Sequence, residues 1–540
     1  MSSSRENIRE TIVRSRKRRV ETEGHTLGIE VPQEREAPFA PFGRPFFGTG
    51  TGRRDPSAAA GGHSQLSATS PAGHHPFCIC EVKRRSPSKG AIALEMDAAE
   101  QAKRYVEAGI PTISVLTEEG YFGGSLTDLI AVKHRFPEAA VLRKDFLIYE
   151  EDIRVSCRAG ADAVLLIASI LTEDELGRMY STARTLGLEC LVEVHSEEDV
   201  KKASEVSPGF VGINARDLDT FRIDLTLPLK LRNRIGWDTR MVFESGVTSI
   251  ETARFAFDSG FSGILVGEAA VRNPGFAAEL ARLTKPAGAG AVSVREGPET
   301  PPPAGPGVRQ VPVQDTRSFG PSGFWQRLYA RYRPGRPLTK ICGICRPEDG
   351  ITAAEAGADI LGFVFADSPR RSEPQVPRAL KGLDVLRVAV VVCKSGDRKL
   401  PEEVRMLLEE GVIDAVQFHG DETPEQCYKI AYPYYKAVRV RAPGDLKKAG
   451  EYSCPRVLLD AYTSHARGGT GATVDQHILS AGENLGLWLA GGLGPHNIRK
   501  VMHTFSPELV DLSSGLELFP GKKDKEKIVR FFKELDNGVL

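Results

Sequence analysis

Met241-Val-Phe-Glu-Ser-Gly246 and Gly263-Ile-Leu-Val-Gly-Glu268 are two short apolar runs, each ending at a glycine beside a polar residue. The pairing recurs in Leu487-Trp-Leu-Ala-Gly-Gly492 and Leu509-Val-Asp-Leu-Ser-Ser-Gly515, and each pair closes its own half of the chain. Glycine where a buried parallel strand stops lets bare backbone N–H groups approach an anion. A (β/α)8 barrel carries a phosphate at that place, after strands 7 and 8. The pattern therefore predicts an α/β protein of two tandem (β/α)8 barrels, each handling a phosphorylated small molecule. A doubly wound sheet would instead put one glycine-rich turn after its first strand.

Strand-like runs alternate with amphipathic helices outward from these segments. The first half offers strands near 77–83, 112–117, 140–146, 163–169, 188–195, 210–216, 241–245 and 263–267. The second offers 338–344, 360–366, 386–392, 415–419, 434–440, 456–462, 487–490 and 509–513. Residues 38–76 and 285–322 are rich in Gly, Pro, Ser and Ala and lack the apolar side chains of a core, so both read as linkers. The expected organisation is a helical N-terminal segment (1–37), a low-complexity linker (38–76), a barrel (77–284), an interdomain linker (285–337) and a second barrel (338–540). Phe324–Tyr332 is expected to form a short amphipathic helix packed on a barrel. With too few apolar residues in 285–322 to hold the barrels in one fixed arrangement, each is expected to remain soluble and active after a cut there.

A chain of 540 residues is too long for one core and fits two barrels of roughly 200 to 250 residues each. Lys+Arg and Asp+Glu both total 71, so nothing points to a nucleic-acid or acidic-membrane partner. The basic stretch Arg14–Arg19 reads as the polar face of a helix over about 6–23. No early apolar run resembles a signal-peptide core, and the run Ala163–Ala168 is far too short to span a bilayer. Nine cysteines scattered through strand-like segments fit reduced thiols in a cytoplasmic setting.

Polar residues at the C-terminal tips of barrel strands point into the active site. In the first half these are Glu81, Lys83, Lys144, Glu193, Asn214, Arg216, Glu244 and Ser245. Carboxylates and lysines converging on one mouth perturb one another's proton affinities, as acid–base chemistry requires. With no histidine expected among these tips, lysine is the natural proton donor.

Glu81-Val-Lys-Arg-Arg-Ser-Pro-Ser-Lys-Gly90, with Leu142–Phe146, Leu191–His195, Gly212–Leu218 and Glu244–Gly246, resembles indole-3-glycerol-phosphate synthase over about 77–284. The resemblance implies ring closure of 1-(2-carboxyphenylamino)-1-deoxyribulose 5-phosphate with loss of carbon dioxide and water. It makes Lys144 the general acid, has Glu193 assist dehydration, and sets Glu81 and Lys83 beside them as proton carriers. Asn214 and Arg216 would face the anthranilate part. Ser86, Gly246, Gly267 and Glu268 would lie at the phosphate, with Glu244 and Ser245 completing the substrate site.

Thr339–Ile344, Gly362–Arg371, Val416–Asp421, Leu458–Asp460 with Gly468–Gly471, Ala490–Leu493 and Asp511–Glu517 resemble phosphoribosylanthranilate isomerase over about 338–540. That family carries out an Amadori rearrangement. The resemblance implies that Asp460 protonates the ring oxygen and that Cys342, as thiolate, takes the proton from the neighbouring carbon. Arg370 would bind the anthranilate carboxylate, Gln417 and His419 would line the substrate site, and Gly469, Gly471, Gly492, Ser514 and Gly515 would surround the phosphate. Cys342-Gly-Ile-Cys345 also spells a zinc or redox spacing, but no second Cys or His pair follows it.

The two implied reactions are consecutive steps of tryptophan biosynthesis, needing no cofactor or metal. The expected partners are phosphorylated small molecules, extended by the resemblance to other enzymes of that pathway. The alternatives are a pair of sugar-phosphate barrels from another pathway, or a first barrel kept as a structural or regulatory partner.

Overall fold

The computed structural model describes residues 8–43, 76–87, 90–217, 222–285, 323–393, 400–428, 430, 432–440, 442–452, 454–461 and 486–537. Strands β1 (Phe77–Val82), β2 (Thr112–Leu116), β3 (Ala140–Lys144), β4 (Ala163–Ile167), β5 (Glu189–Val194), β6 (Phe210–Asn214), β7 (Arg240–Glu244) and β8 (Gly263–Val266) close into one parallel barrel, with neighbours in sequence order. Strands β9 (Leu338–Cys342), β10 (Ile360–Val364), β11 (Leu386–Val391), β12 (Ala415–Phe418), β13 (Tyr434–Val440), β14 (Val457–Ala461), β15 (Trp488–Ala490) and β16 (Leu509–Leu512) close a second in the same way. The chain is thus two (β/α)8 barrels in tandem. The helix after β4 spans Glu173–Thr185, with Thr172 and Glu175 forming a reciprocal cap that satisfies two otherwise orphaned N–H groups. No helix among the described residues is long and apolar enough to cross a membrane.

Alternation along the strands builds the interior. Side chains two residues apart share a face, so Phe77 and Ile79, Ala140 and Leu142, Leu191, Val242 and Leu265 fill the first barrel. The next residues on those faces, two positions further on, are Glu81, Lys144, Glu193, Glu244 and Gly267. The apolar layers therefore aim the polar tips.

Helix α1 (Ile8–Glu23) lies over this mouth, where Ile8, Arg9 and Ile12 join the lining of the cavity. The solvated face expected for Arg14–Arg19 fails at Arg16. Its guanidinium is buried and reaches Asp145 Oδ2 (3.4 Å) and Asp152 Oδ1 (2.9 Å), adding a cation to two buried carboxylates. Beyond α1 the chain runs along the barrel without regular structure. Arg35 pairs with Asp162 at 2.8 Å, and Phe42 sets its ring edge-on to Phe210 at 5.0 Å. Residues 38–43, expected from composition to begin a linker, are packed against the barrel by these contacts. The remainder of that low-complexity stretch up to residue 75 lies outside the described residues.

The aromatic segment near 324 forms helix α2 (Phe324–Ala330), whose Phe324, Trp325, Leu328 and Tyr329 are all buried. Trp325 packs on Phe255 of the first barrel (5.9 Å) and on Trp488 of the second (5.8 Å). Beside it Glu508 accepts from Lys230 (2.6 Å), Arg456 (2.7 Å), Tyr329 (2.9 Å) and Trp488 (2.9 Å). Arg456 also grips Asp224 (2.8 Å) and Thr226 of the first barrel. The barrels are therefore joined by a buried seam with a charged centre. The linker's composition gave no sign of it, because none of these contacts lies in 285–322.

Burial would raise the Glu508 carboxyl, yet Arg456 and Lys230 hold it down to about 2. A carboxyl depressed in the folded state adds stability that is present above its ordinary value of 4.5 and lost as pH falls toward 2. We expect a chain cut between residues 285 and 323 to elute at pH 7 as one particle, and to come apart as the pH falls from 4.5 toward 2. Arg456→Met should loosen the seam already at pH 7, by on the order of 3 kcal/mol for a broken buried pair. Size-exclusion chromatography of the cut protein checks both, and two independent fragments at pH 7 would count against the seam.

Candidate active sites

Lys144, last on β3, reaches Glu193 Oε2 at the tip of β5 (2.6 Å) and Glu244 Oε2 at the tip of β7 (2.9 Å). Glu81 accepts from Lys83 at 2.6 Å. Two glycines make room for these carboxylates. A side chain on Gly212 would run into Glu244, and one on Gly267 would meet Glu81 Oε1 at 2.6 Å. Asn214 uses its side-chain oxygen to hold the Arg216 N–H at 3.0 Å. Ser245 and Gly246 both take positive φ, 65° and 80°, turning the backbone after β7. All twelve residues expected in this barrel, from Glu81, Lys83 and Ser86 through Ser245, Gly246, Gly267 and Glu268, line one cavity of about 430 Å³.

One ammonium between two buried carboxylates divides them. Burial opposes charge on Lys144, but Glu193, Glu244 and Glu81 outweigh it and hold the ammonium well above its ordinary value. Burial would raise Glu193 too, yet Lys144 and His195 carry it well below the ordinary range. Glu244 is left with the penalty. Burial, reinforced by the negative Glu193 and only partly offset by Lys144, lifts it to about 8. At neutral pH the mouth thus holds a charged lysine, an ionised glutamate and a glutamic acid that keeps its proton.

In the second barrel the same alternation aligns Lys340 with Cys342 on β9, and Gln417 on β12 with His419 just beyond it. Cys342 is buried, and Gly362 on β10 leaves space for its sulfur, since a Cβ there would lie 2.8 Å from Sγ. Burial raises the thiol, while Lys340 and Lys523 pull it back without cancelling the rise. Asp460, at the tip of β14, lies 3.1 Å from His419 Nε2. Arg370 spends one edge of its fork on Glu517 (2.8 to 3.1 Å), beside the Cys342 turn. The loops after β15 and β16 meet closely. Gly492 has φ 62°, and a side chain on Gly515 would strike the Leu493 carbonyl, so the backbones of Ser514–Gly515 and Gly492–Leu493 come together as an anion cradle demands. Gly469 and Gly471 lie outside the described residues.

Several participants were not foreseen. His195, one residue past β5, sets Nε2 3.2 Å from Glu193, so a histidine does stand at the first mouth, behind a carboxylate rather than facing the cavity. Its place in Leu191-Val-Glu-Val-His195, two residues after Glu193 and so on the same face, was the available signal. Lys340, Tyr435 and Asp511 form the floor of the second site, where Lys340 pairs with Asp511 at 2.6 Å.

Residues 64–283 match the family model for indole-3-glycerol phosphate synthase, and residues 339–534 that for N-(5'-phosphoribosyl)anthranilate (PRA) isomerase. A multifunctional tryptophan biosynthesis protein of Schizosaccharomyces pombe is 30% identical over 491 residues, covering 84% of this chain and 59% of that protein. An indole-3-glycerol phosphate synthase of Acetivibrio thermocellus is 43% identical over 194 residues, 36% of this chain and 74% of that one. The chain belongs to the indole-3-glycerol phosphate synthase family in its first barrel and to the PRA isomerase family in its second. The solved phosphoribosyl anthranilate isomerase of Thermotoga maritima is 36% identical, covers 37% of this chain and is itself covered to 99%, with a TM-score of 0.33. The chain spans about three fifths of the length of the multifunctional fungal relatives it matches.

The proton on Glu244 of the synthase barrel is measurable directly. Infrared difference spectra between the chain and Glu244→Gln should contain a carboxylic-acid C=O band at pH 6 that fades as pH rises past about 8. Absence of the band at pH 6 would mean that Glu244 is ionised and that Lys144 satisfies both carboxylates.

Proposed function

We propose that the chain catalyses two consecutive steps of tryptophan biosynthesis, the second barrel acting first. In the isomerase barrel Asp460 would protonate the ring oxygen of N-(5-phosphoribosyl)anthranilate and open the sugar. Cys342, once deprotonated, would take the proton from the adjacent carbon, giving 1-(2-carboxyphenylamino)-1-deoxyribulose 5-phosphate. Arg370 would bind the anthranilate carboxylate with the part of its fork that Glu517 leaves, Gln417 and His419 would line the substrate site, and the loops at Gly469, Gly471, Gly492, Ser514 and Gly515 would take the phosphate.

In the synthase barrel the aromatic carbon bearing the carboxylate attacks the ketone of that product, and Lys144 would deliver a proton to the ketone oxygen. Carbon dioxide then leaves as the ring regains aromaticity, and Glu193, ionised and held by Lys144 and His195, would assist loss of water. Glu81 and Lys83 would carry protons beside them, and Glu244, as a neutral acid, would add a second donor. Arg216 suits the anthranilate carboxylate because a guanidinium is a planar fork of donors. Ser86, Ser245, Gly246, Gly267 and Glu268 would enclose the phosphate. The observation that carries this reading is Lys144 between Glu193 and Glu244 in a cavity lined by every expected synthase residue. Phosphorylated substrates are common to both families; other enzymes of the pathway as partners, and a cytoplasmic location, belong to the same proposal.

The test is conversion of N-(5-phosphoribosyl)anthranilate to indole-3-glycerol phosphate by the purified chain. Lys144→Ala should abolish ring closure and spare the isomerase; Asp460→Asn should do the reverse. Equal damage to both reactions in a folded protein would rule out two separate sites. Cys342→Ser should cost the isomerase about 10² to 10⁴-fold, the usual worth of a positioned base, and Cys345→Ser little. Equal loss from the two serines would favour a metal or redox pair instead. Because burial raises the Cys342 thiol, its rate of alkylation, read as the difference between the chain and Cys342→Ser, should keep rising with pH beyond the ordinary thiol value of about 8.5. A plateau reached below that value would mean that the neighbouring lysines outweigh burial.

A further inference from the structure

A row of hydrogen bonds runs along the floor of the isomerase mouth. The Tyr435 hydroxyl and Gln417 Oε1 are 2.9 Å apart, Gln417 Nε2 and His419 Nδ1 2.8 Å, and His419 Nε2 and Asp460 Oδ2 3.1 Å. Lys340 stands at its foot. It is fully buried and pairs with Asp511 on the neighbouring strand.

An amide oxygen only accepts and an amide N–H only donates, and this sets the direction of each bond in the row. Gln417 turns its oxygen to Tyr435, so the Tyr435 hydroxyl spends its one proton there. The other end of the same amide is the N–H, and it faces His419. His419 Nδ1 receives that N–H and stays bare, so the ring proton sits on Nε2 and is donated to Asp460. A second proton on Nδ1 would face a donor, which disfavours the imidazolium. The charged groups facing His419 among the described residues are Asp460 and Asp511, and Asp511 is already held by Lys340.

On the reading that Asp460 is the ring-opening acid, we infer that Tyr435 and Gln417 are positioning residues that keep His419 a neutral Nε2–H donor, so that Asp460 retains the proton it must deliver. An imidazolium at 3.1 Å would favour the ionised carboxylate and disarm the acid. His419 also occupies Oδ2, and Asp460 takes no other hydrogen bond among the described residues, which assigns the transferable proton to Oδ1. Lys340 contributes by neutralising Asp511, the anion that would otherwise favour a charged histidine.

Gln417→Glu places an acceptor opposite Nδ1 and should convert His419 to the Nδ1–H or doubly protonated form. Isomerase kcat should fall about 10²-fold, the low end of a general acid's worth, with KM little changed and the alkaline limb of its pH profile moved to lower pH. Tyr435→Phe removes only the hydroxyl and frees the Gln417 amide to turn, so a smaller kcat loss is expected without the burden of a buried charge. Ring closure by the first barrel of the same chain reports whether each variant is folded. Nitrogen-15 NMR of histidine-labelled chain, with His419 assigned by its loss in His419→Asn, should show Nε2–H in the wild type and a change in Gln417→Glu. An Nδ1–H tautomer in the wild type overturns the inference. So does an unchanged kcat and tautomer in both variants where Asp460→Asn is inactive. Full isomerase activity in Asp460→Asn would instead overturn the acid assignment on which the inference rests.

Discussion

A closed parallel barrel gives each strand one face that looks inward, and the last residue on that face stands at the mouth. The chemistry of both halves follows from this. Ala140 and Leu142 hold β3 so that Lys144 must enter the cavity, and Leu191 does the same for Glu193. A register shift of one residue would turn Lys144 outward and leave Arg143 in the mouth. Arg143 is instead fully buried on the other face, bonded to Asp145, Thr117 and Ser156. The residues on either side of the lysine are thus tied down, and through Asp145 the same network holds helix α1 by Arg16.

Strands, tips and phosphate loops were legible because each is announced by local sequence: an apolar run, its parity, and a glycine at its end. Contacts between distant segments were not. Arg16 reads as one arginine among several in Arg14–Arg19, and only a partner 129 positions away marks it as buried. Arg456 and Glu508 look like ordinary strand-edge charges until Asp224 and Lys230 arrive from the other barrel. Glu244 was legible as a site residue but not as a protonated one, since that depends on its burial and on Glu193 approaching it from another strand.

The seam also bears on the synthase mouth. Asp224, gripped by Arg456, donates its own N–H to the Ala215 carbonyl at 2.8 Å, between Asn214 and Arg216 in the chain. Ile223, next to Asp224, lines the cavity and packs under Gly246, where a Cβ would come within 2.8 Å of it. The loop carrying Arg216 is therefore fixed at one end by its own strand and at the other by a side chain of the second barrel.

Both barrels place a lysine among carboxylates near the mouth, yet the two lysines do different work, and depth decides which. Lys144 has 13% of its side chain exposed, so its ammonium stands at the cavity wall where a bound ketone oxygen could replace a carboxylate as its partner. Lys340 has none exposed. Among the described residues its charge acts on Asp511, Cys342 and Tyr435, and an influence on a substrate passes through those groups. At that depth a charge costs several kcal/mol to bury even when paired, and an apolar residue would fill the space more cheaply. A buried ammonium among groups that titrate therefore makes more sense as a charge that sets their protonation than as a structural one, because it offsets the charge of Asp511 near His419 and draws the Cys342 thiol down against burial.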